Sequence, residues 1–305
     1  VQYSLKLPQR LTDDRQARSA ETVECPVTIW ISLYPGVPRV DIRTTFTNNA
    51  QDHRLRVHFP THLNTKRSYA DGHFAVIERP IHLITDAEGW IEHPVTTNPQ
   101  LAFVDVNDGA FGLMIANRGL PEYDVALTDD GSCIALTLLR CVGWLSRDDL
   151  ATRQGAAGPI LPTPEAQMMG SHHFEYSVIP HTGDWKGVFH RAYWFARPLR
   201  ARWTNRHTGS LGPRLSFLSL APTNLVLSAF KLADDGSGDL IIRLYNSAEE
   251  PTEAVIRTAF PMAFVELSNL AEERGEELSL EEPYALRFPV GGYRIVTLRV
   301  TTAKD

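Results

Sequence analysis

Leu101-Ala102-Phe103-Val104-Asp105-Val106, then Asn107-Asp108-Gly109, then Phe111-Gly112-Leu113-Met114-Ile115-Ala116: two apolar runs flank an acidic-glycine turn. Asn, Asp and Gly tolerate the backbone that tight turns demand, so the pattern predicts a β-hairpin. The same signature follows at once, with Tyr123 to Thr128 and Ser132 to Leu139 around Asp129-Asp130-Gly131. A third acidic-glycine turn, Asp234-Asp235-Gly236, separates Leu225–Leu232 from Leu240–Tyr245. Upstream, Val27 to Tyr34 turns at Pro35-Gly36 and returns as Val37 to Phe46. Arg54 to Phe59 alternates, with Leu55, Val57 and Phe59 on one side and Arg54, Arg56 and His58 on the other. That period of two belongs to a half-buried strand. The chain therefore reads as all-β.

One helical segment interrupts this pattern. After Gly183-Asp184, a candidate N-cap, Trp185, Val188, Phe189, Ala192, Phe195, Ala196 and Leu199 recur at helical spacing up to Pro198. Core packing is the expected use of that aromatic stripe. Arg200 to Arg214 is basic, polar and glycine-bearing, as a linker would be. Six short strands then follow, at Leu225–Leu232, Leu240–Tyr245, Glu253–Phe260, Ala263–Leu267, Tyr284–Phe288 and Arg294–Val300. Such spacing predicts a small immunoglobulin-like β-sandwich. The acidic run from Glu272-Glu273 to Glu282 reads as a solvated turn region. Two domains are expected, a large one at 1–205 and a linker plus terminal sandwich at 206–305.

Composition removes several function classes. The formal net charge of −6 supplies no global positive field for nucleic acid or an anionic membrane. No apolar run approaches the roughly 20 residues that span a bilayer. Cys25, Cys133 and Cys141 show no paired spacing, which fits a reducing, cytoplasmic location. Cys133 and Cys141 lie in apolar runs and read as packing residues. Among eleven His there is neither His-Glu-x-x-His nor His-x-Asp, and His53, His58 and His62 do not share a strand face. No Gly-x-Ser-x-Gly occurs and no phosphate-cradling glycine loop opens a helix. No catalytic residue and no metal ligand is assigned in this chain.

A long connection stands apart, from Ser146 to Gln167 between the strands Ile134–Val142 and Phe174–Ile179. Connections usually take about 4–6 residues, and loops of roughly twenty without secondary structure are functional or disordered. This one is stiffened by Pro159, Pro162 and Pro164 and opens with Arg147, Asp148 and Asp149, followed by Arg153. The ordinary alternative is a solvated insertion.

Ser32-Leu33-Tyr34-Pro35-Gly36-Val37-Pro38-Arg39-Val40-Asp41-Ile42-Arg43-Thr44 resembles the C-terminal β region of α-mannosidases of glycoside hydrolase family 38. So do Phe74-Ala75-Val76-Ile77-Glu78-Arg79-Pro80, Asn117-Arg118-Gly119-Leu120-Pro121-Glu122-Tyr123 and the long loop. The flavour is that of the bacterial mannosidase and mannosylglycerate hydrolase branch. The resemblance implies a galactose-mutarotase-like supersandwich with one helix, followed by the small sandwich. It further implies an N-terminal catalytic barrel in the same polypeptide, holding the zinc and the nucleophilic carboxylate that this chain lacks. The chain is then a non-catalytic region of a retaining α-mannosidase, inactive alone, that packs on the barrel. Arg118, Arg147, Asp148, Asp149 and Arg153 become candidates for an α-mannoside-binding rim, since arginine forks suit hydroxyls and carboxylates. A salt bridge holding the domains together is the commoner role for such residues. Two alternatives remain open: a stand-alone carbohydrate-binding module using Trp90, Trp144 or Trp203, and a mutarotase-like isomerase using His172 or His173 with Glu175.

Overall fold

The computed structural model describes residues 1–82, 86–206, 208–280 and 282–303. It divides into two compact units, Val1–Gly72 with Ile77–Leu199, and His73–Val76 with Arg200–Asp305. Almost every regular element is a strand.

In the first unit the strands are β1 (Gln2–Pro8), β2 (Thr22–Leu33), β3 (Val40–Asn48), β4 (Arg54–Pro60), β5 (Arg67–Asp71) and β6 (Val76–Pro80). They continue as β7 (Asn98–Pro99), β8 (Phe103–Asn107), β9 (Phe111–Asn117), β10 (Glu122–Thr128), β11 (Gly131–Arg140) and β12 (Gly170–Thr182). One sheet has eight strands in the order β1-β2-β3-β12-β9-β8-β5-β6, and a second has four, β4-β11-β10-β7. Side chains from both meet in one core, with Val27, Phe46, Ile115 and Tyr176 from the larger sheet and Tyr123, Ile134 and Leu136 from the smaller. Leu55, Val57 and Phe59 pack on that core, as their alternation predicts. Burying each such side chain contributes roughly 1.5–3 kcal/mol before entropy is counted.

The Asn107-Asp108-Gly109 turn joins β8 to β9 antiparallel, with Asn107 opposite Gly112. Gly109 takes a φ of 88°, where a Cβ would be strained. Asp108 accepts from the amides of Ala110 at 2.9 Å and Phe111 at 2.8 Å, so the acidic residue completes the turn. Behind it lies a fully buried polar pair. His181 Nε2 stands 2.6 Å from Asp105 Oδ2, and Asn107 donates to Asp105 Oδ1 at 2.6 Å. The imidazole occupies the space a Cβ at position 112 would need, which accounts for Gly112 within a strand.

The helical segment is shorter than its periodicity suggests. Trp185–Gly187 forms a 3₁₀ turn capped by Asp184, which accepts from the Lys186 amide at 3.0 Å. The α-helix proper, α1, covers only Phe189–Ala196. Val188, at φ −132°, separates the two pieces. Trp185, Val188, Phe189, Ala192 and Phe195 are buried, so the stripe is core as far as Phe195, whereas Leu199 beyond the helix is exposed.

The second unit contains β13 (Leu218–Ala221), β14 (Leu225–Leu232), β15 (Leu240–Asn246), β16 (Thr252–Thr258), β17 (Met262–Ser268), β18 (Arg274–Glu277), β19 (Ala285–Val290) and β20 (Ile295–Thr302). They form sheets β13-β16-β19 and β14-β15-β20-β17-β18. Ile242, Leu244, Val265 and Leu298 on one sheet meet Ile256, Leu286 and Phe288 on the other. β13 and β18 are additional to the six expected strands.

The acidic segment is not simply a solvated turn. Glu272 is buried, accepts from the Asp234 amide at 2.9 Å and pairs with Lys231. Glu281, in the same run, lies outside the described residues. The Asp234-Asp235-Gly236 turn is correspondingly wide, with Leu232 opposite Leu240. Asp235 and, beyond the turn, Asp239 face Arg299, which is buried, whereas Asp234 pairs with Lys231. Arg299 donates from Nε to Asp239 at 2.7 Å and from an Nη to Asp235 at 2.6 Å. Asp239 also accepts from Arg274 at 2.7 Å and Thr301 at 2.8 Å. A buried guanidinium with its donors engaged is tolerable; one stripped of an acid is not.

Two predictions follow from these buried charges. Asp105→Ala leaves the His181 ring buried without its partner and costs about 3 kcal/mol, read as a lower urea midpoint of the first unit. The second concerns acid. Burial pulls the Asp239 carboxyl up, but bonds from Arg299 and Thr301 outweigh it and hold the group below its ordinary 3.8. Asp235 is held down by the Ser237 amide and by Arg299, and Glu272 by Lys231 and the Asp234 amide. Depressed carboxylates stabilise the fold above their unfolded values, and that contribution is lost as pH falls through the folded ones. The second unit's urea midpoint should therefore fall steeply below about pH 4, and Asp235→Asn should flatten that slope.

Candidate functional site

The Ser146–Gln167 segment has its own internal structure, in keeping with the stiffness its prolines imply. Its ends close on each other. The Leu145 amide donates to Leu161 O at 2.9 Å, Thr163 N to Gly143 O at 2.9 Å and Val142 N to Ala166 O at 2.9 Å. Pro164–Gln167 is a 3₁₀ turn. Inside the loop the Ser146 hydroxyl accepts from the amides of Ala157 at 2.9 Å and Gly158 at 3.1 Å. At the neck, Gln167 and Asp52 bond reciprocally. Gln167 Nε2 donates to Asp52 Oδ1 at 2.6 Å, and the Asp52 amide donates to Gln167 Oε1 at 2.8 Å. Gly143 lies against both, 3.0 Å from each where a Cβ would stand.

The first turn of this loop borders a cleft of about 530 Å³, whose other walls include Arg10, Arg15, Arg140 and Trp144. Arg147 donates to both oxygens of Asp149, at 2.6 and 2.7 Å. Arg15 adds a third bond to Asp149 at 3.2 Å while its guanidinium lies 5.4 Å from the Trp144 ring centroid. The bonds from Arg147 hold the Asp149 carboxyl below its ordinary value. A guanidinium has five N–H donors, so Arg147 keeps several for the cleft. Asp148 is exposed beside it.

The remaining candidates divide differently. Arg153 pairs with Glu92, and around it His93 N donates to Thr152 O and Gln154 N to Ile91 O, both at 2.9 Å. This short ladder docks the loop on residues 91–93. Arg118 lies elsewhere, in a second cleft. It pairs with Glu175, donates from Nε to Phe195 O at 2.8 Å and stacks on the Phe195 ring at 4.4 Å. Arg147 and Asp149 are thus brought together, with Asp148 beside them, whereas Arg118 and Arg153 each have their own acid.

His172 and His173 point to opposite faces of β12, as strand geometry requires. His172 contacts Met168 O at 2.7 Å, His173 contacts Thr45 Oγ1 at 3.0 Å, and Glu175 is held by Arg118. The three do not form an acid–base pair. Trp144 is half-buried beneath Arg15, whereas Trp90 and Trp203 are exposed. Sequence reading passed over Trp30, which is exposed beside Arg43 on the second cleft. Its signal was its outward place in the alternation of β2. Among the described residues no group of three or more His, Cys, Asp or Glu is placed to hold a metal ion. Burial pushes the His53 ring below its ordinary value, favouring the neutral form. No helix among the described residues is long and apolar enough to cross a membrane.

Comparison with known proteins is consistent along the chain. The glycosyl hydrolases family 38 C-terminal domain matches residues 8–150, and that family's C-terminal beta sandwich domain matches residues 224–298. A Halalkalibacterium halodurans protein named "Putative mannosylglycerate hydrolase" is 30% identical over 289 residues, which are 94% of this chain and 30% of that one. Alpha-mannosidase 2C1 of Mus musculus is 26% identical over 262 residues, 83% of this chain and 22% of its own. The crystal structure of an alpha-mannosidase from Enterococcus faecalis V583 superposes with a TM-score of 0.80 at 27% identity, covering 98% of this chain and 33% of that one. The chain spans a third or less of the length of these relatives.

The neck makes a prediction independent of activity. Gln167→Ala removes both bonds to Asp52 and should expose the loop. Limited proteolysis should then cut between Asp148 and Gly158 several-fold faster, with the rest of the first unit intact. An unchanged cutting rate would mean that the backbone ladder alone holds the loop.

Proposed function

This chain belongs to glycosyl hydrolase family 38, of which it carries the C-terminal domains, and we propose that it serves a retaining α-mannosidase as its non-catalytic β region. In this reading it packs on a catalytic barrel of the same polypeptide. The relatives' unmatched length, two-thirds or more of each, is ample for such a barrel. The zinc that the family resemblance implies finds no fitting donor set among the described residues, so this reading assigns the ion to the barrel and routes no step through this chain.

The observation that carries the proposal is the braced loop with Arg147 at a cleft and Asp148 and Asp149 next to it in the chain. A loop closed at its neck by backbone bonds and by Asp52–Gln167 presents Arg147, Asp148 and Asp149 with little freedom left to lose. Preorganised donors cost less to use than flexible ones. Asp149 fixes the plane of the Arg147 fork, whose remaining N–H groups donate to sugar hydroxyls, and Asp148 accepts from them. A retaining glycosidase needs two carboxylates about 5–5.5 Å apart across the bond it cleaves. The loop's part is to seat the sugar against such a pair and to exclude water. Arg153 and Arg118 act indirectly, the first by docking the loop and the second within its own cleft.

In the full-length enzyme, Arg147→Ala and Asp148→Ala should each lower kcat/KM for an aryl α-mannoside about tenfold, equivalent to ~1.4 kcal/mol of transition-state binding. Arg153→Ala should act through loop order, with a lower Tm accompanying the kinetic loss. Unchanged kcat/KM in both Arg147→Ala and Asp148→Ala would remove the loop from the substrate rim.

A further inference from the structure

The second cleft, of about 450 Å³, lies on the face of the eight-stranded sheet that points away from the core. Its floor is a row of cross-strand neighbours. Trp30 on β2 is opposite Arg43 on β3, and Arg43 is opposite Glu175 on β12. One step along, Ser32 and Asp41 form the next row, with Ser177 buried behind Asp41 and donating to it at 2.8 Å. Their strand neighbours of opposite parity, Thr44 and Tyr176, are buried and bond to each other at 2.8 Å. Strand alternation alone therefore sends Trp30, Arg43 and Glu175 to the outer face. Helix α1 supplies a wall through Phe195, whose ring has Arg118 at 4.4 Å and Arg39 at 5.5 Å.

The indole is open to solvent. Trp30 is 52% exposed, on a strand whose inward residues Cys25 and Val27 are fully packed. Its described partner is Arg43, whose guanidinium carbon lies 5.9 Å from the ring centroid. Arg43 is itself exposed and donates to no described side chain, whereas the neighbouring cations are neutralised. Arg39 bonds to Asp41 at 2.8 Å, and Arg118 pairs with Glu175. The cleft thus offers an apolar ring face, one free fork of donors, and carboxylates with hydroxyls alongside. With two of three arginines neutralised there is little net field to select an anion. Mixed donors and acceptors beside an aromatic plane match a neutral pyranose, which has one C–H face and a rim of hydroxyls.

We infer that this cleft is a glycan-binding subsite in which a neutral hexose lies on Trp30 and bonds to Arg43 and the Asp41 and Glu175 carboxylates. It shares no lining residue with the cleft beside the loop, so it takes a different sugar unit from the one at the proposed rim. The inference rests on the α-mannosidase reading for the identity of the sugar and on the geometry above for the site. In an enzyme of oligosaccharides, a second subsite adds avidity without touching the reacting bond.

The test is a calorimetric titration of this 305-residue chain with mannobiose and, separately, glucuronate. Mannobiose should bind saturably and more tightly than glucuronate. Trp30→Ala should weaken it about tenfold or more and Arg43→Ala several-fold. Absence of saturable mannobiose binding overturns the inference, as does affinity that survives Trp30→Ala. A preference for glucuronate overturns the neutral-sugar assignment. If Trp30→Ala does not fold, Trp30→Phe and Arg43→Ala decide, since both retain the strand and only a real site responds to the second. Mannobiose binding lost in Arg147→Ala would relocate it to the loop. Failure here with the full-length Arg147→Ala enzyme still impaired removes the cleft alone and leaves the proposed rim in place.

Discussion

Everything in the first unit depends on β12 being paired along both edges. Residues 170–178 bond to β3 and residues 176–182 to β9. Take that strand away and the eight-stranded sheet falls into two pieces, β1-β2-β3 and β9-β8-β5-β6. The long loop delivers the chain into β12 at Gly170, and the helix takes it out after Thr182. Glu175 on its outer face joins one cleft, while Tyr176 on its inner face fills the core. Such pairing is non-local, so the strand's stability is inseparable from that of its neighbours.

The buried charges serve the same end by another means. A His–Asp pair at the end of β12 and an arginine ringed by acids on β20 each occupy sites where a lone charge would be expensive. Each is compatible with only one strand register. The first requires glycine at position 112; the second requires the wide turn at 233–239 to bring Asp235 and Asp239 onto the guanidinium. These groups add less to net stability than to the uniqueness of the arrangement, which apolar packing alone specifies loosely.

The β character was legible because it is local. Asn107-Asp108-Gly109 works through amides two and three residues away, and Leu55, Val57 and Phe59 need only a period of two. Reading failed where the partner is distant. The helical stripe overran its helix because spacing does not register the break at Val188. Glu272 looked solvated because Lys231 and the Asp234 amide are far from it in the chain. The loop's charges were visible, but its closure was not, since Gln167 meets Asp52 across 115 positions. Trp30, Arg43, Glu175 and Arg118 are likewise scattered, and only strand register assembles them.

The hydroxyl of Ser146, bonded to two amides beyond the loop's tip, divides that loop into a collar and a crown. Residues 142–145 are tied to 161–166 by backbone bonds, so the collar's closure does not rest on the crown's side chains. Lengthening such a closed loop is cheap, about 0.6 kcal/mol for each doubling. The scaffold can therefore exchange the residues it presents at the cleft while the sheet beneath is left alone, and diversification of specificity is separable here from maintenance of the fold.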